Sequence, residues 1–158
     1  MRRPRRLLSA VAALAVAFGL AGCSPYSGTT ATRVQQWARQ NSFASDNDLV
    51  VNDIADVYKA VKAGSVQTVT TICGGLAIDV GTAYETLPSP DQALTNYLND
   101  ADTAIVNAAT SCSRISSLGS RTMRRDLAVL MKGISDLHKA ERLIGSLGVH
   151  WKIPKGPT

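Results

Sequence analysis

Apolar residues recur every three or four positions through most of the chain between residues 33 and 149. This spacing places them on one face of an α-helix, whereas a half-buried strand would alternate apolar and polar residues. No stretch alternates convincingly with a period of two, so strands are not predicted. The second predicted helix, with Ser45 as its N-cap, carries one such stripe, formed by Val50, Ile54, Val57, Tyr58 and Val61.

Helix-ending signals divide this pattern into separate helices. A short leading helix is predicted over residues 33–42. Gly64 and the turn Pro88-Ser89-Pro90 end the next two helices, and the polar stretch 113–120 ends the fourth. We therefore predict one all-α domain over residues 33–149, an antiparallel bundle of four main helices with a short leading helix.

The first 22 residues have the layout of a secretory signal peptide. Four arginines within residues 2–6 precede an uncharged segment, Leu7 to Leu20, that is rich in Ala, Val and Leu. A positive segment followed by an apolar segment of this length is typical of a signal peptide. It is short for a permanent membrane-spanning helix, which needs about 20 apolar residues. We therefore predict that residues 1–22 are removed on export.

The sequence Leu20-Ala21-Gly22-Cys23 follows directly and resembles the lipobox of bacterial lipoproteins. The resemblance implies that the Cys23 thiol carries a diacylglyceryl group and that cleavage makes Cys23 the new N-terminus. The alternative is ordinary cleavage that leaves Cys23 as a free thiol, a liability in an oxidising compartment. We expect a protein anchored by lipid to the extracytoplasmic face of the cell membrane, with residues 23–32 as a flexible tether.

Without residues 1–22, the chain is nearly neutral and has the size of one domain. The full chain has 17 basic and 12 acidic residues, and four arginines leave with the signal peptide. Nucleic-acid binding needs a clear excess of positive charge. The composition therefore gives no support for a nucleic-acid partner.

Two further cysteines, Cys73 and Cys112, lie on the apolar stripes of the third and fourth predicted helices. An even pair is typical of a disulfide in an exported protein, and the alternative is two buried free thiols. Cys73 lies about 14 residues before the predicted turn and Cys112 about 21 after it. In an ideal antiparallel pair this separates them by ~10 Å along the axis. A disulfide is favoured, but it needs a bent helix or a longer turn.

The segment from Val66 to Cys112 resembles a recurring module of uncharacterised secreted and lipid-anchored proteins of actinobacteria. The resemblance implies a helical hairpin stapled by its two cysteines, and it implies no activity. The shared features are Cys73 three residues before Leu76, Asp79, the Pro-Ser-Pro-Asp turn at 88–91 and Cys112 at a helix end.

Patterns typical of catalysis or of metal binding are not found. His138 and Glu141 have the i, i+3 spacing of metal sites in helical bundles, but such sites need more carboxylates and a second histidine. The only other histidine is His150, so we expect Glu141 to pair with an Arg or Lys for structural reasons. No nucleophile elbow or phosphate-binding glycine loop occurs. We predict a protein without enzymatic activity, bound metal or cofactor.

Charge is segregated along the chain. Residues 40–102 contain nine acidic residues and two lysines, whereas residues 103–158 contain nine basic and three acidic residues. In the last predicted helix, over 121–147, basic side chains lie opposite the apolar stripe at 100° per residue. A solvated helix face explains this pattern without a function. The candidate partner-binding residues are Arg121, Arg124, Arg125, Lys132, Lys139 and Arg142.

Two functional hypotheses follow. In the first, the protein is a non-enzymatic interaction module of the cell envelope. Its basic residues then contact an acidic protein or anionic lipid headgroups, and Trp151 in an irregular tail, 150–158, extends the surface. In the second, it is a small-ligand or lipid carrier at the membrane surface, with a cavity lined by Tyr58, Tyr84 and Tyr97. Helices rich in Ala and Gly can leave such a cavity, and tight packing is equally consistent with them.

Overall fold

The computed structural model describes residues 25–153, which form five α-helices and no strand. The four longer helices, α2 to α5, pack as an antiparallel bundle, and the short α1 leads into it. The predicted all-α bundle of four main helices with a short leading helix is therefore confirmed. The helices are α1 Thr30–Gln40, α2 Phe43–Lys62, α3 Val66–Tyr84, α4 Gln92–Cys112 and α5 Arg121–Ser146.

The segments to which export and anchoring were assigned, residues 1–22 and Cys23, lie outside the described residues. The same holds for 154–158 of the predicted tail. Between residues 25 and 153, no helix is both long enough and apolar enough to cross a membrane.

Side-chain caps set the starts of four helices. Ser65, Asp91 and Ser120 each accept a hydrogen bond from the backbone N–H three residues further on, at 3.2, 2.8 and 3.0 Å. Each cap satisfies a backbone donor that the helix itself cannot pair. Thr29 does the same for α1, with its Oγ1 3.2 Å from the N–H of Thr32. The end of the segment predicted as a tether, 23–32, is therefore helical.

The start of α2 differs from the prediction of an N-cap at Ser45. The helix begins at Phe43, and its N-cap is Ser42, whose φ of 52° lies in the left-handed region. A non-glycine residue in this region costs about 1–3 kcal/mol. Packing of the next residue compensates for this cost, because Phe43 is fully buried and its ring centroid lies 5.1 Å from that of Trp37.

An aromatic cluster closes one end of the bundle. Phe43 lies between Trp37 and Trp151, with its ring centroid 5.1 and 5.0 Å from theirs. The indole N–H of Trp37 donates to the Thr86 carbonyl at 2.8 Å, and that of Trp151 donates to Asp48 Oδ1 at 2.9 Å. Both α1 and the segment after α5 are thereby fixed to the bundle. Trp151 is 5% exposed, so it does not extend a docking surface.

Cys73 and Cys112 form the predicted disulfide, with their Cα atoms 5.9 Å apart and both side chains fully buried. The connection between the helices resolves the mismatch along the axis. α3 ends at Tyr84 and α4 begins at Gln92, so residues 85–91 join them instead of a tight turn. An extended chain spans about 3.3 Å per residue. This connection can therefore make up the difference while α3 stays one continuous helix.

Two glycines of the bundle differ in what surrounds them. A Cβ at Gly133 of α5 would overlap Cγ1 of Ile105 and lie 3.5 Å from the Ala101 carbonyl oxygen, both in α4. A Cβ at Gly81 of α3 would meet no atom within 4 Å. Gly133 therefore permits the close approach of α4 and α5, whereas Gly81 borders open space.

Candidate functional site

The six candidate basic residues all lie exposed along α5. The apolar side of α5, with Leu130, Leu137 and Ile144, is buried in the bundle. At 1.5 Å per residue, the six residues extend over ~32 Å of the helix. We call them the basic strip, which consists of Arg121, Arg124, Arg125, Lys132, Lys139 and Arg142.

The two lysines of the basic strip are held by one buried carboxylate. Lys132 Nζ lies 2.8 Å from Asp136 Oδ2, and Lys139 Nζ lies 2.6 Å from Asp136 Oδ1. Burial alone would raise the pKa of Asp136, but the hydrogen bonds and charges of the lysines outweigh burial and hold that pKa below its ordinary value. Without the lysines, Asp136 would be a buried charge with no partner. They therefore serve the fold.

The arginines of the basic strip make fewer contacts with carboxylates than the two lysines do. Arg125 Nη2 lies 3.6 Å from Asp126 Oδ1, and Arg124 donates to a backbone carbonyl at 2.7 Å. Arg121 and Arg142 form no ion pair with any residue of the described part of the chain. Uncompensated positive charge is therefore concentrated at the two ends of the strip.

One end of the basic strip lies near the start of the described chain. Gln35 Nε2 of α1 donates to the Leu147 carbonyl at 2.9 Å, which joins α1 to the C-terminal end of α5. The Tyr26 hydroxyl accepts a hydrogen bond at 3.0 Å from the C-cap side chain of α1. The chain therefore enters the bundle beside the Arg142 end of the strip. The Arg121 end lies at the opposite end of the bundle.

A pair of carboxyl groups bridges α2 and α3. Burial, together with a hydrogen bond to Asp79 and repulsion from the charges of Asp79 and Asp56, raises the pKa of Asp53 to about 6. Both side chains are only partly buried. The pair contributes acidic character to the side of the bundle formed by α2 and α3.

Asp102 of α4 lies in a cleft between α3 and α4. The residue is 2% exposed, and its Oδ1 is buried without a hydrogen-bond partner in the described structure. Burial raises the pKa of Asp102 to about 7. The cleft has a volume of about 210 Å³, and its other lining residues carry no charge at neutral pH; they are Val80, Gly81, Tyr84, Thr103 and Val106. Chemically, the site can accept a hydrogen bond or a positive charge.

A larger groove of about 590 Å³ lies between α1, the start of α2 and residues 148–150. Arg39, Phe43 and His150 border it. None of the side chains described along this groove has a buried polar atom without a partner. The α3–α4 cleft differs because Asp102, one of its lining residues, has such an atom.

The three tyrosines proposed to line a carrier cavity have different environments. The Tyr58 hydroxyl donates to the Leu127 carbonyl of α5 at 2.8 Å. Tyr84 borders the α3–α4 cleft and is 49% exposed. Tyr97 is a partly exposed residue of α4. Of the three, Tyr84 is the one that contributes to the cleft with the buried carboxyl.

His138 and Glu141 contact each other on α5, with Nδ1 and Oε2 2.8 Å apart. The partner of Glu141 is therefore histidine and not the expected Arg or Lys. Within residues 25–153, no three side chains of His, Cys, Asp or Glu are grouped to hold a metal ion.

The chain was compared with protein-family models, curated proteins and solved structures. No match was found.

Sequence reasoning missed the burial of Asp102, because ionisable side chains are rarely fully buried. The signal that could have identified it is spacing. Asp102 lies four residues after Leu98 and seven before Ala109, and both of these are buried. All three positions share the face of α4 that packs against its neighbours.

Proposed function

We propose that the protein is a non-enzymatic interaction module of the bacterial cell envelope. A lipid on Cys23 anchors it to the extracytoplasmic face of the membrane, and the basic strip binds an acidic protein. The observation that supports this most is the set of six exposed cations along α5. Within residues 25–153 their ion pairs involve two carboxylates, those of Asp126 and Asp136. A surface of this kind attracts negatively charged partners and speeds their association.

The position of the anchor favours a protein partner over lipid headgroups. Cys23 is two residues before Pro25, so an extended chain keeps it within ~7 Å of Pro25. The chain enters the bundle at the Arg142 end of the strip. If the bundle stands on this end, the Arg121 end is ~32 Å away, well beyond a Debye length of ~8 Å from the membrane. A protein can contact the full length of the strip.

The test reverses charge at strip arginines that form no ion pair with a buried carboxylate. Lys132 and Lys139 are left unchanged, because their loss would leave Asp136 without a partner. The strip variant carries Arg121→Glu, Arg124→Glu and Arg142→Glu. A matched control makes the same change in net charge at exposed residues elsewhere, through Arg39→Glu, Lys59→Glu and Arg114→Glu.

Each protein is crosslinked in its native cells, and the captured species are identified by mass spectrometry. We expect the wild-type chain and the control to capture the same dominant protein, one with an acidic surface. The strip variant should capture at least tenfold less of it, with unchanged helicity by circular dichroism. Equal capture by the strip variant would exclude the basic strip as the binding surface.

Vesicles containing phosphatidylglycerol test the lipid alternative. If the full chain binds them, if the strip variant does not, and if no protein is captured, anionic headgroups replace the acidic protein as the partner. Binding to such vesicles should weaken with salt, because each contributing basic residue adds about 1 kcal/mol that is screened by ions.

A small-ligand carrier is the second candidate function, and the α3–α4 cleft beside Tyr84 is the observation that favours it. Native mass spectrometry of the chain purified from its own cells tests it. A co-purifying small molecule supports the carrier, and its loss on filling the cleft would locate the site. Ligand-free protein throughout would count against it.

A further inference from the structure

The cleft between α3 and α4 combines an apolar wall with one buried carboxyl group. Val80 is 1% exposed and Asp102 is 2% exposed. Asp102 Oδ1 has no hydrogen-bond partner within the part of the chain that the structure describes. Buried polar atoms in native proteins are almost always paired, with protein groups or with ordered water, so this oxygen is open to a hydrogen-bond donor from outside the chain. The partner must carry a hydrogen-bond donor.

The other residues that line the cleft restrict the size and the polarity of a ligand that carries this hydrogen-bond donor. Val80, Val106 and the ring of Tyr84 offer apolar contacts, and Gly81 adds no side chain that would fill the space. The volume of about 210 Å³ is below the ~300–1,000 Å³ of sites for drug-sized ligands. The cleft therefore fits a small apolar group.

A cation suits this carboxyl group better than a neutral donor. The other lining residues carry no charge at neutral pH, so an ionised Asp102 has no opposite charge in the cleft. A cation within ~4–6 Å favours the ionised carboxylate, and charge-assisted hydrogen bonds are about twice as strong as neutral ones. The exposed ring of Tyr84 can add a cation–π contact.

We infer that the α3–α4 cleft binds a small organic ammonium, with its N–H donors on Asp102 and its apolar group against Val80, Val106 and Tyr84. This inference specifies the ligand class of the second candidate function. It is independent of partner binding by the basic strip, which lies on α5.

The test is an NMR titration of the full chain at pH 8 with n-butylammonium, and with n-butanol as a neutral ligand of similar size. We expect saturable shifts of amide signals of α3 and α4 around the cleft, with a dissociation constant of about 1 mM, which is reasonable for so few atoms. Binding of n-butanol should be at least tenfold weaker, because it lacks the charge.

Two variants and one control test the site. Asp102→Asn keeps the shape but removes the charge, and it should weaken n-butylammonium binding at least tenfold. Gly81→Leu should abolish binding by filling the cleft, because Gly81 lines the cleft and a Cβ at this position meets no atom within 4 Å. Gly145→Leu is the matched control, because Gly145 of α5 is equally open and lies on another helix. It should bind like the wild-type chain.

Several results would overturn the inference. Equal binding of n-butanol and n-butylammonium would show that the cleft takes apolar ligands without regard to charge, which leaves the carrier function standing. Unchanged binding by Asp102→Asn would remove the role of the carboxylate. If n-butylammonium causes no saturable shift of the amide signals at concentrations tenfold above about 1 mM, the cleft does not bind an ammonium ligand.

The same ammonium chemistry has two sources, a free amine and a lysine side chain of a polypeptide. Titration with Nα-acetyl-lysine amide distinguishes them. Tighter binding of the lysine derivative than of n-butylammonium assigns a polypeptide as the source, and the reverse order assigns a free amine. Both orders support the ammonium site.

Discussion

Asp102→Asn should change how the stability of this protein depends on pH. Burial raises the pKa of Asp102 from 3.8 to about 7 in the folded chain. The folded state therefore holds a proton that the unfolded state has released, and the free energy of unfolding decreases as the pH rises from 3.8 to about 7. The asparagine side chain does not titrate, so the variant lacks this part of the decrease.

The size of the contribution of Asp102 to this decrease follows from its pKa shift. Each pH unit within the window costs about 1.4 kcal/mol for one proton. A change from pH 5 to pH 8 crosses about two units of the window, so Asp102 should lower the free energy of unfolding by roughly 3 kcal/mol. Between pH 5 and pH 8, the free energy of unfolding of Asp102→Asn should therefore decrease by about 3 kcal/mol less than that of the wild-type chain. Any constant cost of burying the amide cancels, because only the change between the two pH values is compared.

The assay is urea unfolding of the full chain at pH 5 and pH 8, followed by far-ultraviolet circular dichroism with the disulfide intact. Asp53, whose pKa is raised to about 6, titrates in both proteins and does not contribute to the difference. Asp100→Asn serves as control, because Asp100 is exposed on the same helix, and it should behave like the wild-type chain. Parallel loss of stability in wild-type and Asp102→Asn would refute the reasoning and show that Asp102 is solvated or paired in solution.

Three further predictions concern the fold and are checked by urea unfolding. Replacing Cys73 and Cys112 with alanine should lower the free energy of unfolding by about 4 kcal/mol through loop-closure entropy; a reductant should destabilise the wild-type chain equally and leave the variant unchanged. Gly133→Ala should destabilise by about 1–3 kcal/mol, because its Cβ has no room against α4. Gly81→Ala should stabilise by up to about 1 kcal/mol, and equal effects of the two alanines would contradict the packing described. Trp151→Ala should cost about 3–5 kcal/mol, whereas a loss below about 1 kcal/mol would mean that the segment after α5 is not docked.

The helices could be predicted because their evidence is local. Apolar spacing marks one face of each helix, and Gly64 and Pro88-Ser89-Pro90 end two of them. The start of α2 could not be predicted this way. Phe43 is helical because its ring is buried against Trp37 and Trp151, and this contact depends on how distant parts of the chain pack.

The same distinction applies to the candidate site. The exposed face of α5 follows from its periodicity, but the role of Asp136 in holding Lys132 and Lys139 requires the structure. The environment of Asp102 depends on α3, a different helix. The disulfide was favoured by the number of cysteines, whereas its geometry depends on the length of the connection 85–91.

The disulfide also has a consequence for proteolysis. The residues it joins are separated by 39 positions, and the connection 85–91 lies between them with Glu85 and Pro88 exposed. Such exposed connections are where proteases cut most readily. A single cut there leaves two fragments that stay covalently joined, so neither half of the bundle can diffuse away. The nicked protein should migrate as one band on a non-reducing gel and as two after reduction.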